Sequence, residues 1–279
     1  MEIQGGNKIM AELFKVDSTK IIGGAGRFVT APYGTKLPVE IEDLIDTATY
    51  ELKGSWKDVG ATQEGIKITR SYDEEEIEVD QVQGAVETAI TKWSHDISTS
   101  LMEYTIENRQ LALIGGQIVQ KAPKYGTAVK TKGELGIGAT IITLATAPGA
   151  EFKVGGYVKI ANQANKIVAI QGSSLTVETA IPAAITEGAD ITPIITLGTK
   201  RIGYGTVTDA PMLSAALISR NDKTGALSMV VFYRVKVSGE SKEQNWSKEK
   251  HQIPLGLKAF AENGVATNEN VYYEIEQVI

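Results

Sequence analysis

The sequence has no cysteine, which excludes disulfides, thiolate metal sites and cysteine nucleophiles. Histidine is almost as scarce. His95 and His251 stand far apart, and neither sits in a His-Glu-x-x-His spacing that would hold a metal. Each is read as a solvated or hydrogen-bonded structural side chain. An excess of base is also missing: 28 Lys and Arg stand against 34 Asp and Glu, for a net charge of −6. Wrapping nucleic acid needs clustered Lys and Arg to neutralise phosphate, so the chain is a poor candidate for that class of function. No apolar run approaches the roughly 20 residues of a membrane helix. The start, "MEIQGGNKIMAELF", lacks a basic segment followed by an apolar one, so no signal peptide is expected. Without secretion, the sequon Asn245-Trp246-Ser247 is read as coincidence.

Catalytic patterns are missing too. Gly23-Gly24-Ala25-Gly26 and Gly136-Ile137-Gly138 lack the third glycine of a dinucleotide loop and the Gly-Lys-Ser/Thr ending of a phosphate loop. No Gly-x-Ser-x-Gly elbow occurs. The run Asp73-Glu74-Glu75-Glu76 does not interleave oxygen ligands around a glycine turn as a calcium loop does. A solvated turn is the simpler reading. Paired carboxylates suit glycoside hydrolysis only where one is buried and the other exposed, and nothing in the sequence marks such a pair. No enzyme, metal or cofactor is expected.

What the sequence does have is short alternating segments between glycine-containing turns, the pattern of a mainly β protein. With its 279 residues and 42% apolar content the chain can bury a sizeable core. "GIKITRSY" sets Ile66, Ile68 and Tyr72 on one face and Lys67, Thr69 and Ser71 on the other. "EIEVDQV" sets Ile77 and Val79 against Glu76, Glu78 and Asp80. A four-residue turn at residues 73–76 would place Tyr72 across from Ile77 and Arg70 across from Val79, aligning the apolar rows. In "SLMEYTIENRQLALIGG", Leu101, Tyr104, Leu111 and Ile114 form a loose helical stripe ending in Gly-Gly, so one flanking helix is expected between Ser100 and Gly116. The fold class is therefore mainly β with an α+β arrangement. Residues 131–197 are rich in Ala, Thr and Ile and poor in aromatics, unlike their flanks, and read as an inserted small β-barrel or sandwich. Residues 1–130 and 198–279 would then form one discontinuous domain. In "ALSMVVFYRVKVSGE" only the second half is clearly amphipathic, which predicts burial of the first half on both faces. Trp56, Trp93 and Trp246 are read as core or edge anchors, with subunit contacts left open by their polar surroundings.

The order of several segments resembles the major tail tube proteins of tailed bacteriophages. They are "IIGGAGRFVTAPYGTKLPVEIEDLIDTATYELKGSWKDVGATQEGIKITR", then "SLMEYTIENRQLALIG", then "YRVKVSGESKEQNWSKEKHQIPLGLKAF". The resemblance covers residues 11–120 and 210–279. It implies a β-sandwich or barrel-like subunit with one flanking helix, assembled into stacked hexameric rings. On that resemblance Lys67, Thr69, Glu76, Glu78 and Asp80 line an acidic lumen through which DNA passes without specific binding. Tyr33, Leu37, Trp56 and Asp58 are expected at contacts between subunits or rings. Residues 23–60 would order on stacking, and the first ten residues would act as a flexible arm. Other partners implied are a tape-measure protein, a tail terminator and baseplate or distal tail proteins. The expected location is the virion tail, after assembly in the host bacterial cytoplasm, and the insert becomes a surface decoration. Two alternatives stay open on the residues: the tube of a phage-like injection or secretion machine, and a carbohydrate-binding β protein. The second would need exposed aromatics on the insert, which offers only Phe152 and Tyr157.

Overall fold

A computed structural model describes residues 23–278 apart from Val82, Glu240, Ser241, Asn245 and Ser247. The expected N-terminal arm lies outside the described residues. Residues 118–202 form one compact unit, and the segments ending at Gln117 and resuming at Gly203 form the other.

In the first unit the chain runs β1 (Arg27–Pro32), a short helix Ile41–Leu44, β2 (Lys57–Asp58), β3 (Thr62–Glu78), β4 (Ala85–Leu101) and a helix Ile106–Ala112. The second unit holds β5 (Val119–Lys121), β6 (Lys124–Tyr125), β7 (Val129–Lys130), β8 (Ile141–Thr143), β9 (Tyr157–Ile160), β10 (Gln163–Gln171), β11 (Ser174–Val177), β12 (Asp190–Thr196) and β13 (Thr199–Arg201). The chain then returns to the first unit with β14 (Leu213–Arg220), β15 (Leu227–Val237), β16 (Ile253–Phe260) and β17 (Tyr272–Glu276).

The sheet of the first unit is antiparallel, in the order β2-β1-β14-β15-β16-β4-β3, with β17 also paired to β15. Strand β15 divides it: Ser228 to Phe232 pair with β17, and Arg234 to Val237 pair with β16. Alternation on β1, β14 and the first half of β15 feeds two cores, and a bulge on β15 between Phe232 and Val235 resets it. Phe28, Ala215 and Phe232 enter the first, while Val29, Ala216 and Val231 enter the second. Burial of the first half of β15 on both faces is thus borne out. The first core continues through Val235, Leu255 and Leu257 to Ile97 and Leu101 on β4. Each fully buried Phe, Leu or Ile contributes about 1.5–3 kcal/mol of transfer free energy.

The flanking helix is shorter than the sequence predicts. Leu101 is the last residue of β4, paired with both Ile253 and Thr62, so the ladder holds what the helical stripe claimed. The helix starts after Thr105, whose hydroxyl accepts from the Asn108 amide at 3.1 Å, an N-cap. It packs Ala112 and Leu111 onto the first core. Residues 27–59 are also not a loop awaiting partners. Ile41, Leu44, Ile45 and Trp56 are buried in the second core, because the apolar positions of "VEIEDLIDTATYEL" close over β1, β14 and β15.

The second unit has its own antiparallel sheet, in the order β6-β12-β9-β10-β11-β8 with β7 on β12. Ile142, Leu144, Val158, Ile167, Leu175 and Ile191 fill its core, joined by Phe152. The turn at Gly172-Ser173 links β10 to β11, with Gln171 across from Ser174 and Gly172 at φ 57°. Buried Asn165 exchanges hydrogen bonds with the Thr179 backbone at 2.9 and 3.1 Å. The unit starts earlier and ends later than the composition shift at 131–197. The short strands β5, β6, β7 and β13 carry several lysines and too few residues to show a period.

Candidate functional site

The longest elements are β3 and β4, 17 residues each, and they pair with one another to form a hairpin at the sheet edge. Near its root, Glu64 and Gly65 take positive φ (66° and 76°) and bulge out of β3, where Gly65 supplies a carbonyl to Thr99 Oγ1 at 2.8 Å. Beyond them β3 runs without interruption from Lys67 to Glu78.

That continuity corrects the expected turn at residues 73–76. Tyr72 pairs with Trp93, Glu74 with Ile90, Glu75 with Ala89 and Glu76 with Thr88, and the reversal comes at residues 79–84. Four successive carboxylates have little strand preference of their own. The facing segment "AVETAITK" supplies Ala, Ile and Thr partners that hold them in the ladder, since strand propensity follows cross-strand context. Register shifts on the β4 side absorb extra residues between Lys92 and Ile90 and between Glu87 and Ala85.

Alternation along an unbroken β3 then splits the predicted lumen set. Lys67 and Thr69 share a face with Ser71, Asp73 and Glu75. Glu76 and Glu78 share the opposite face with Ile66, Ile68, Arg70 and Tyr72, and Asp80 lies in the turn. The five residues are not on one face, because the turn that would have flipped the alternation is not there.

The face bearing Ile66 and Ile68 packs on the first core and is extended outward by rings. Phe232 touches Tyr272 at 5.1 Å between centroids, Tyr272 meets His95 edge-on at 5.8 Å, His95 stacks on Trp93 at 6.2 Å, and Trp93 meets Tyr72 at 4.9 Å. The Arg70 guanidinium sits 4.1 Å from the Trp93 ring centroid. This ladder runs from a fully buried Phe232 to a half-exposed Tyr72, and it fastens the hairpin to the body. Burial, and then the charge of Arg70, hold the His95 imidazole below its ordinary pKa, so the ring stacks as a neutral group. The sequence singled out Trp93 and His95 separately. Their spacing of two in "TKWSHD" is the signal that both lie on one strand face.

The opposite face is polar and crosses several strands. Lys236, Lys258, Asp96 and Thr69 form a single row through β15, β16, β4 and β3. Lys67, Ser98, Lys92 and Asp73 extend it along the hairpin. At its margin Lys236 holds Asp209 at 2.7 and 2.8 Å, and that hydrogen bond, then the charge, keeps the Asp209 carboxyl below its usual range.

Strand β16 pairs with β4 only as far as His95. From Trp93 outward the hairpin is a two-stranded ribbon, with no further strand on either edge among the described residues. Tyr72 to Glu78 alone span about 20 Å at roughly 3.4 Å per residue. Every described residue from Arg70 to Trp93 is exposed. Two strands without a third are marginal in water, and open edges template pairing with another chain.

The expected contact residues fare differently. Trp56 is 7% exposed within the second core, and Leu37 packs against that core, so both are occupied inside the subunit. Asp58 accepts from Arg27 Nε at 2.6 Å and from the Gly60 amide at 2.8 Å. Tyr33 remains half-exposed and donates to the Glu262 carboxylate, at 2.9 Å to the nearer oxygen, a bond that raises its pKa. Among the described residues no cluster of acidic and histidine side chains is built to hold a metal, and no helix is long and apolar enough to cross a membrane.

A family model described as phage tail tube protein matches residues 15–187, more than half of the chain. The chain belongs to the phage tail tube protein family. It is a structural component of the virion tail, and its mainly β fold of antiparallel sheets is consistent with that family. The match ends inside the second unit, so most of the span read as an insert, residues 131–197, falls within it. The likeness drawn over residues 210–279 rests on the sequence segments alone. No curated protein matches this tail tube protein.

Proposed function

We propose that copies of this tail tube subunit close into hexameric rings through the projecting ribbon, and that the rings stack into a hollow tube through which the genome leaves the virion. One observation carries the reading: the ribbon is longer than the sheet that supports it and, among the described residues, leaves both of its edges open. Side-by-side ribbons supply each other's missing strands. A head-to-tail contact whose rotation closes removes the last open edge.

The uncovered polar face is the natural wall of the bore. It bears Lys67, Thr69, Ser71, Asp73 and Glu75, with Lys92, Asp96, Ser98, Lys236 and Lys258 beside them. Glu76 and Glu78 belong to the reverse, aromatic side. Lysines and carboxylates are mixed on this wall, so a polyanion is neither adsorbed nor strongly repelled over a Debye length of about 8 Å. The second unit, with its own core, serves as a surface module. A tape-measure protein, a terminator and distal tail proteins complete the assembly.

Negative-stain imaging of the concentrated protein tests this. Stacked rings with sixfold averages are expected, and particles that stay monomeric at every concentration and salt would refute it.

A further inference from the structure

Where β16 leaves β4, a slot of about 740 Å³ opens beside the free edge of the ribbon. Arg70, Lys92, Trp93, Lys258, Phe260 and Asn268 are among the residues that line it. The slot therefore combines unpaired strand backbone, an aromatic floor and three cationic side chains. Glu269 and Glu274 offset part of that charge. The same chain has a segment of complementary chemistry. Asp73, Glu74, Glu75 and Glu76 are exposed on the outermost strand, with no ion pair among the described residues.

We propose that this slot receives residues 73–76 of β3 from a second copy of the chain. The proposal rests on the ring reading above and gives it a register and a chemistry. Ribbons related by rotation about a common axis point the same way, so β3 of one copy runs antiparallel to β4 of the next. Strand addition then supplies affinity through the main chain, and the flanking side chains supply specificity. Closing strands into a barrel requires tilt and stagger. A stagger of a few residues moves the carboxylates, instead of Arg70 and Tyr72, to the level of Trp93 in the neighbour. There Glu74 and Glu76 lie on the face of Arg70, Asp73 and Glu75 lie on the face of Lys92 and Lys258, and the charges steer the correct edge while repelling two acidic edges from one another.

The absence of cysteine makes the test clean. A Glu76→Cys, Asn268→Cys double variant is assembled, oxidised and run on a non-reducing gel, and a covalent ladder of subunits is expected. Separately, Asp73→Lys with Glu75→Lys should raise the concentration for half-assembly about tenfold, equivalent to about 1.4 kcal/mol. Adding Lys92→Glu and Lys258→Glu to the same chain should return it to within about threefold of the parent. Circular dichroism of the monomers confirms that each variant is folded. Tubes that form without a crosslink, or a combined variant that assembles worse than the tip reversal alone, overturn the slot and leave the ring reading standing. A parent protein that forms no rings overturns both.

Discussion

Replacing Trp93 by alanine removes the middle of the ladder that fastens the ribbon. The ring contact with Tyr72 at 4.9 Å and the Arg70 guanidinium at 4.1 Å are both lost. An aromatic pair is worth about 0.5–1.5 kcal/mol beyond its buried area, and an exposed cation–π contact about 0.5–1 kcal/mol. With both contacts half in solvent, about 1.5 kcal/mol is a fair sum, roughly a tenfold change in an opening equilibrium. That loss should stay local. Trp93 stands beyond the last β16–β4 pair, outside the first core, so the global transition depends on it little. Amide hydrogen exchange resolves the difference. Amides of residues 74–90 should exchange about tenfold faster in Trp93→Ala, while those of β15 and β16 keep the parent's protection. Equal acceleration throughout the first unit, or none in the ribbon, would refute the idea that this ladder is what holds the hairpin in place.

Asn108 is buried and donates 2.8 Å hydrogen bonds to the carbonyls of Val59 and Glu103, so Asn108→Ala leaves two acceptors unsatisfied. A loss of about 2–4 kcal/mol in urea unfolding is expected. Gly60 sits at φ 80°, and a Cβ there would collide with the Glu103 carboxylate that accepts from the Ala61 amide. Gly60→Ala should cost about 1–3 kcal/mol by the same measurement, through strain and that lost bond. His95 is held neutral in the folded state while the unfolded chain protonates near its ordinary pKa of about 6.5, so the unfolded state binds more protons as pH falls. Stability should decline from about pH 6.5 downward until the lowered folded-state pKa is passed, and His95→Gln should flatten that slope; identical slopes would contradict it. The lowered carboxyls of Asp43, Asp46 and Asp209 act in a separate, more acidic window, losing their contribution as pH falls below about 3.8.

Much of this protein was legible in its residues. Alternation marked the strands, the two-sided burial of the first half of β15 followed from its lack of clear amphipathicity, and the order of segments pointed to the family that matches. These properties are local, set by a period of two and by turn residues that need no partner to be recognised. The hairpin shows what is not local. Residues 73–76 have the composition of a turn, and only the facing Ala85 to Lys92 keeps them in a strand. That pairing moves the reversal to residues 79–84 and carries Glu76 and Glu78 to the side opposite Lys67. Likewise "VEIEDLIDTATYEL" reads as an open loop until β1, β14 and β15 present a second apolar face for it to cover. Sequence fixes which way successive side chains alternate. Which face meets the core, and where a strand ends, depends on partners distant in the chain, and those are decided only when the sheet closes its register.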